Sequence, residues 1–171
     1  LVQEIIDAGP LKAGKKRLEW MAVRLLMKEA GLGVKLNYSE NGKPEPESGF
    51  ISVSHSFPYS VIYFSEESET GVDIEKMNQR ILKVADRFIH ESEEKIIDKK
   101  EIRQLTIAWG VKEAVFKKHG GETVHFAKNI RIRKTGEKEN ELVVDVKNNT
   151  IESEERLFYQ LIEDFVLVYT A

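Results

Sequence analysis

The chain has 171 residues, 41% hydrophobic and 32% charged, enough apolar material to bury a core and a length that fits one large domain or two small halves. Its 26 basic and 29 acidic residues give a net charge of -3, which excludes the strong positive footprint of a nucleic-acid or anionic-membrane binder but leaves room for a local basic pocket. The absence of cysteine excludes disulfides and thiolate chemistry, so oxygen ligands must carry any metal chemistry, and a reducing cytoplasm is the expected setting.

No apolar run approaches the roughly 20 residues of a membrane span, and Glu4 and Asp7 near the start do not suit a signal peptide, so a soluble protein is expected. The start at Leu1 rather than Met leaves room for a short leader. Residues 12 to 30 place Leu18, Met21, Ala22, Leu25 and Leu26 at helical spacing and end at Gly31, predicting an amphipathic helix whose other faces carry Arg17 and Arg24. A turn-rich stretch, Asn41-Gly42-Lys43-Pro44, precedes predicted strands from Phe50 to His55 and Ser60 to Phe64, separated by Pro58. A third strand, Gly71 to Glu75, is expected to complete a small meander with them. From Asn78 to about His119 the apolar spacing is helical, and Gly120-Gly121 closes the run. Strands return at Ile130 to Arg133, Leu142 to Val146, Leu157 to Ile162 and Phe165 to Tyr169, with Glu163-Asp164 as a hairpin turn. Asn148-Asn149-Thr150 matches a glycosylation acceptor but reads as a turn.

Three constellations carry chemistry. Strand alternation points Asp73 and Glu75 to one face and Val72 and Ile74 to the other. Two adjacent carboxylates repel each other, and a divalent cation offsets the repulsion; an exposed strand edge is the plainer alternative. Trp109, Glu113 and Lys117 fall at i, i+4 and i+8 of one helix. A Glu–Lys pair at that spacing is commonly a surface pair contributing about 0.2–0.5 kcal/mol, but a Trp beside it implies a half-covered face. Ser54 and His55, with Lys43 upstream, supply donors suited to phosphate oxygens. Ser54 and His55 are not a hydrolase pair, because neighbours on a strand face opposite ways.

Together these motifs, Gly42-Lys43-Pro44, Ser54-His55-Ser56, Gly71-Val72-Asp73-Ile74-Glu75 and Trp109-x-x-Lys112-Glu113-Ala114-x-x-Lys117, with Arg87, Phe88 and Glu93 between the last two, resemble the 4′-phosphopantetheinyl transferases over roughly residues 12 to 121. The likeness is to the longer type that activates surfactin synthetase. It implies transfer of the phosphopantetheine arm of coenzyme A to a serine of an acyl or peptidyl carrier protein. It further implies that Asp73, Glu75 and Glu113 bind magnesium, or manganese, and that Glu113 and Lys117 are catalytic. Coenzyme A contacts fall to Lys43, Ser54, His55, Lys112 and Lys117, with Arg17 and Arg24 toward the 3′-phosphate; the role of Glu93 stays open.

The fold implied is α+β: two pseudo-symmetric halves, 1–68 with the nucleotide-phosphate contacts and 69–171 with the metal and catalytic motifs. Each half would carry a small, mostly antiparallel sheet on helices, with the active site in the cleft between them and a monomer expected. Two rival functions are a non-catalytic binder of coenzyme A or carrier protein and a magnesium-dependent nuclease. The nuclease is disfavoured because Lys76 follows Glu75 directly and points away from it.

Overall fold

The computed structural model describes residues 14–120, 125–135 and 139–171. Helix α1 (Lys15–Glu29) lies within the predicted helix and buries Val23, Arg24 and Met27. The chain leaves it through Gly31 at φ 75°, a left-handed conformation that glycine enters without a Cβ penalty. Strands β1 (Asn37–Tyr38) and β2 (Pro44–Glu45) flank a tight turn closed by Ser39 N to Lys43 O at 2.9 Å and Gly42 N to Ser39 O at 2.9 Å. Strands β3 (Phe50–Ser56) and β4 (Tyr59–Ser65) pair antiparallel across Pro58, and α1 packs on β4. Val23, Met27, Leu36 and Ile51 form the core of this part, lined by Leu32, Val53, Ile62 and Phe64.

Strand β5 (Val72–Lys76) corrects the expected meander, because it does not extend the β3–β4 ladder. It joins β6 (Ile130–Thr135), β7 (Glu141–Lys147), β8 (Glu152–Ile162) and β9 (Phe165–Thr170) in an antiparallel sheet of order β5-β9-β8-β7-β6. The physical reason lies in the connector. Ser65 Oγ accepts from Glu67 N at 3.2 Å and Ser68 N at 3.3 Å, which bends the chain, and Gly71 then pairs with Thr170 through a backbone bond of 3.0 Å and a hydroxyl bond of 3.1 Å. The β8–β9 turn is the expected Glu163-Asp164, with Glu163 at φ 53°. Asn148 Oδ1 caps its own turn by accepting from Thr150 N at 2.8 Å and Ile151 N at 2.7 Å.

The predicted helical run also resolves differently. Residues 79–93 form three short 3₁₀ segments, Gln79–Lys83, Ala85–Arg87 and Glu91–Glu93, ahead of one long helix, α2 (Ile102–Lys118). Asn78 caps the first segment and His90 the third through its ring nitrogen, so the chain restarts rather than propagating a helix. Apolar residues at Ile81, Val84, Ala85 and Phe88 serve a period of 3.0 nearly as well as 3.6. Gly121, the second glycine of the expected stop, lies outside the described residues. A last short helix, α3 (Phe126–Asn129), leads into β6.

Helix α2 covers the sheet, burying Leu105, Ala108, Val111, Ala114 and Val115 against Ile130, Val144, Leu157, Val166 and Val168. The result is a mixed helix and antiparallel-sheet, α+β, fold with a separate apolar core in each part. No described helix is long and apolar enough to cross a membrane.

Two glycines set how closely α2 approaches the sheet. A Cβ at Gly71 would stand 1.9 Å from the Ala114 carbonyl oxygen, a backbone atom that cannot step aside. A Cβ at Gly110 would meet the Val168 Cγ2 methyl at 2.8 Å, which a side-chain shift relieves in part. Gly71→Ala is therefore expected to cost at least about 3 kcal/mol, and Gly110→Ala about half that or less. Urea unfolding checks the ranking, and equal losses would contradict this account of the contact.

Candidate active site

Asp73 sits on β5 where that strand runs between β3 and α2, and is buried at 3% exposure. Its Oδ1 accepts from Ser54 Oγ of β3 at 2.9 Å and from Lys117 Nζ of α2 at 2.7 Å. Its Oδ2 is buried and has no hydrogen-bond partner. A carboxylate oxygen in that condition is costly unless something positive reaches it. Oδ2 faces Gly110, where an added Cβ would stand 3.7 Å away, and Glu113 follows one turn later on that side of α2.

Glu75 and Glu113 complete an acidic group. Burial, then the Asp73 charge, raises the Glu75 carboxyl above its ordinary range, against the lowering effects of the Trp109 hydrogen bond and Lys117. Trp109 Nε1 donates to Glu75 Oε1 at 3.3 Å. Burial and Asp73 likewise push Glu113 up to about 7, with Glu75 adding to the rise and Lys117 opposing it. The expected stripe of Trp109, Glu113 and Lys117 is thus one face in electrostatic contact with β5. Lys117 also donates to Val72 O at 3.0 Å, so two of its three N–H donors are placed by the protein.

Among the described residues, no three Asp, Glu or His side chains are already gathered closely enough to hold a metal ion. The donor set nonetheless fits a hard divalent cation. Its members are oxygens, they raise one another's proton affinity, and Asp73 Oδ2 is an unpartnered buried acceptor.

The remaining sequence candidates separate. Lys112 is fully buried, and its Nζ donates to Glu93 Oε2 at 2.8 Å, Ile130 O at 2.8 Å and Phe126 O at 3.1 Å. All three of its donors are consumed inside the protein, so the expected coenzyme A contact at Lys112 is corrected to a structural one. Burial holds the Lys112 ammonium below its ordinary range, with Glu93 opposing part of the drop. Glu93, whose role the sequence left open, also accepts Ile132 N at 2.8 Å on Oε1 and His90 N at 2.7 Å on Oε2.

Ser54, expected on a nucleotide phosphate, is buried with its hydroxyl turned to Asp73 and Ile74 N. His55 points the other way, with Nδ1 3.7 Å from Glu19 Oε1 of α1. Lys43 is held by Glu69 and by Lys118 O at 3.1 Å, beside an open cleft of about 540 Å³ lined by Asn41, Lys43, Glu69, Lys118 and His119. Lys118 and His119 both bond to Glu155, and although burial alone would raise its carboxyl, they bring it down to about 2. Arg24 is 4% exposed, its guanidinium carbon 3.7 Å from the Trp20 ring centroid and its Nε without a partner; Arg17 is half-buried on the same helix. Lys76, the residue that separates this site from a nuclease core, pairs instead with Asp164 at 3.0 Å.

A family model described as the 4′-phosphopantetheinyl transferase superfamily matches residues 69–170, more than half of the chain. The chain belongs to that superfamily. No curated protein matches it. The superfamily match takes in β5, α2 and the whole five-stranded sheet, and hence Asp73, Glu75, Glu113 and Lys117. Sequence reasoning missed the Glu93–Lys112 network and the contact of Ser54 with Asp73. The one signal for Glu93 was its place in the Arg87-Phe88-x-x-x-x-Glu93 pattern, which does not disclose burial. The superfamily implies a transferase acting on carrier proteins with coenzyme A, and the matched span contains Asp73 with its unpartnered buried oxygen.

Proposed function

We propose that this protein transfers 4′-phosphopantetheine from coenzyme A to a serine of an acyl or peptidyl carrier protein and releases adenosine 3′,5′-bisphosphate. The carrying observation is Asp73, with one oxygen held by Ser54 and Lys117 and the other buried and unpartnered, beside a Glu113 carboxyl that burial and the Asp73 charge push up to about 7. In the reaction the carrier serine oxygen bonds to the β-phosphorus of coenzyme A. The bond from that phosphorus to the bridging oxygen breaks, and the bisphosphate leaves with the electron pair.

Glu113 takes the serine proton, a role suited to a carboxylate raised to about 7. Lys117 holds its charge beside the transferring group, with the donor that Asp73 and Val72 leave unused. A magnesium or manganese ion held by Asp73, Glu75 and Glu113 supplies positive charge against the pyrophosphate when bound. Lys43, with His55, Arg17 and Arg24, serves the nucleotide phosphates. The buried Arg24 Nε without a partner and the cleft beside Lys43 support those assignments.

In this reading the chain works as a monomer of the longer, surfactin-synthetase-activating type, in the cytoplasm. Residues 1–68 contribute nucleotide contacts and residues 69–171 the metal and catalytic groups. The start of the family match at residue 69 and the separate apolar cores support that division.

Intact mass of apo carrier proteins after incubation with coenzyme A, magnesium and this protein tests the reading. Wild-type protein should add one phosphopantetheine, and Asp73→Ala should slow the transfer at least about 100-fold. Coenzyme A binding without transfer to fatty-acid or peptide-synthetase carriers would favour the non-catalytic binder.

A further inference from the structure

Strand β5 pairs with β9 along one edge only, and the N–H groups of Val72 and Ile74 point from the other edge toward β3. β3 meets them with side chains instead of backbone. Ser52 Oγ accepts Val72 N at 3.0 Å and Ser54 Oγ accepts Ile74 N at 3.3 Å, and both serines are buried, at 3% and 6% exposure. The two hydroxyls therefore do the same work for the backbone. They differ in where the hydroxyl hydrogen goes: Ser54 gives its own to Asp73 Oδ1 at 2.9 Å.

We propose that Ser54 is a positioning residue that fixes which oxygen of Asp73 is offered to a divalent cation. This rests on the functional reading above. The terminal torsion of an aspartate is broad, so a lone carboxylate turns easily. Here Oδ1 is pinned from two sides, by Ser54 of β3 and by Lys117 of α2, and Oδ2 is left buried and unpartnered. With its one hydrogen spent on Asp73 and little of its surface exposed, Ser54 has none to give a nucleotide phosphate. Through it the β3–β4 hairpin reaches the acidic group on β5.

The test compares Ser54→Ala with Ser52→Ala. Each removes one backbone rung to β5, and Ser54→Ala also removes the bond to Asp73, so both variants should melt below wild type, with Ser54→Ala no higher than Ser52→Ala. Only Ser54→Ala frees the carboxylate. Binding of Mn²⁺, followed by electron paramagnetic resonance with coenzyme A present, should weaken about tenfold or more in Ser54→Ala and stay within about twofold of wild type in Ser52→Ala. Ser54→Cys, which keeps the volume but is a weak donor, guards against a folding failure of the alanine variant and should also bind Mn²⁺ more weakly. Equal Mn²⁺ affinity in the Ser52 and Ser54 variants would overturn the positioning role alone. Wild-type protein that binds no Mn²⁺ would overturn the metal reading with it.

Discussion

Lys112→Met should cost this protein about 3–5 kcal/mol, because it strands the fully buried Glu93 carboxylate without its counter-charge. For a domain whose whole stability is typically about 5–15 kcal/mol, that approaches loss of the folded state. The more telling variant is the double replacement, Lys112→Met with Glu93→Leu. An isolated buried ion pair can often be exchanged for apolar residues at little net cost. This pair is not isolated: Glu93 also receives the backbone N–H groups of His90 and Ile132, and Lys112 donates to the carbonyls of Phe126 and Ile130. Removing both side chains orphans four backbone groups, each at about 1–3 kcal/mol when buried. The double variant should therefore stay well below wild type in urea unfolding. Recovery to wild-type stability would show that the charges, and not the backbone groups they satisfy, dominate. The network splints three segments, the 3₁₀ turn at Glu91–Glu93, helix α3 and strand β6, onto the flank of α2. Phe126 then packs edge-on against Trp109 at 5.4 Å, and Trp109 in turn touches Glu75. Lys112 thereby stands three contacts from Glu75, through Phe126 and Trp109.

What the sequence disclosed followed from local periodicity, and what it concealed depended on distant partners. A period of 2 placed Asp73 and Glu75 on one face of a strand, and a period of 3.6 placed Trp109, Glu113 and Lys117 on one stripe. The structure holds both sets in a single electrostatic group. Lys112 belongs to the same short motif but lies about 100° round the helix from Glu113. Only tertiary packing reveals that it faces Glu93, 19 residues away, instead of solvent or phosphate. Alternation likewise says that Ser54 and His55 diverge, but not that the Ser54 side meets β5. The pairing of β5 with β9 joins residues as far apart as Val72 and Tyr169, against the tendency of neighbouring strands to pair. Chain adjacency therefore suggested a meander that the Ser65 turn and the Gly71–Thr170 contact forbid.

Glu113→Gln should move stability and activity in opposite directions. Burial and the Asp73 charge raise the Glu113 carboxyl from 4.5 to about 7, so the fold favours its neutral form. That advantage is complete below pH 4.5 and is lost as pH rises through about 7, where the group ionises inside an already acidic site. At full value such a shift is worth about 3 kcal/mol, and solvent contact of a partly exposed side chain reduces it to about 1–2 kcal/mol. Glutamine keeps the shape and cannot ionise. At pH 8 and without divalent cations, the variant should melt roughly 3–6 °C above wild type, and near pH 4 the two should coincide. Transfer to the carrier should nevertheless fall at least about 100-fold, because glutamine neither accepts the serine proton nor adds charge to the cation site. Magnesium should then stabilise wild type and leave the variant almost unmoved, since a ligand that binds only the folded state raises stability in proportion to its affinity. A glutamine variant less stable than wild type at pH 8 would mean that ionised Glu113 is already well accommodated. In that case the acidic group would be a structural feature, and the repulsion that a cation relieves would have no part in its design.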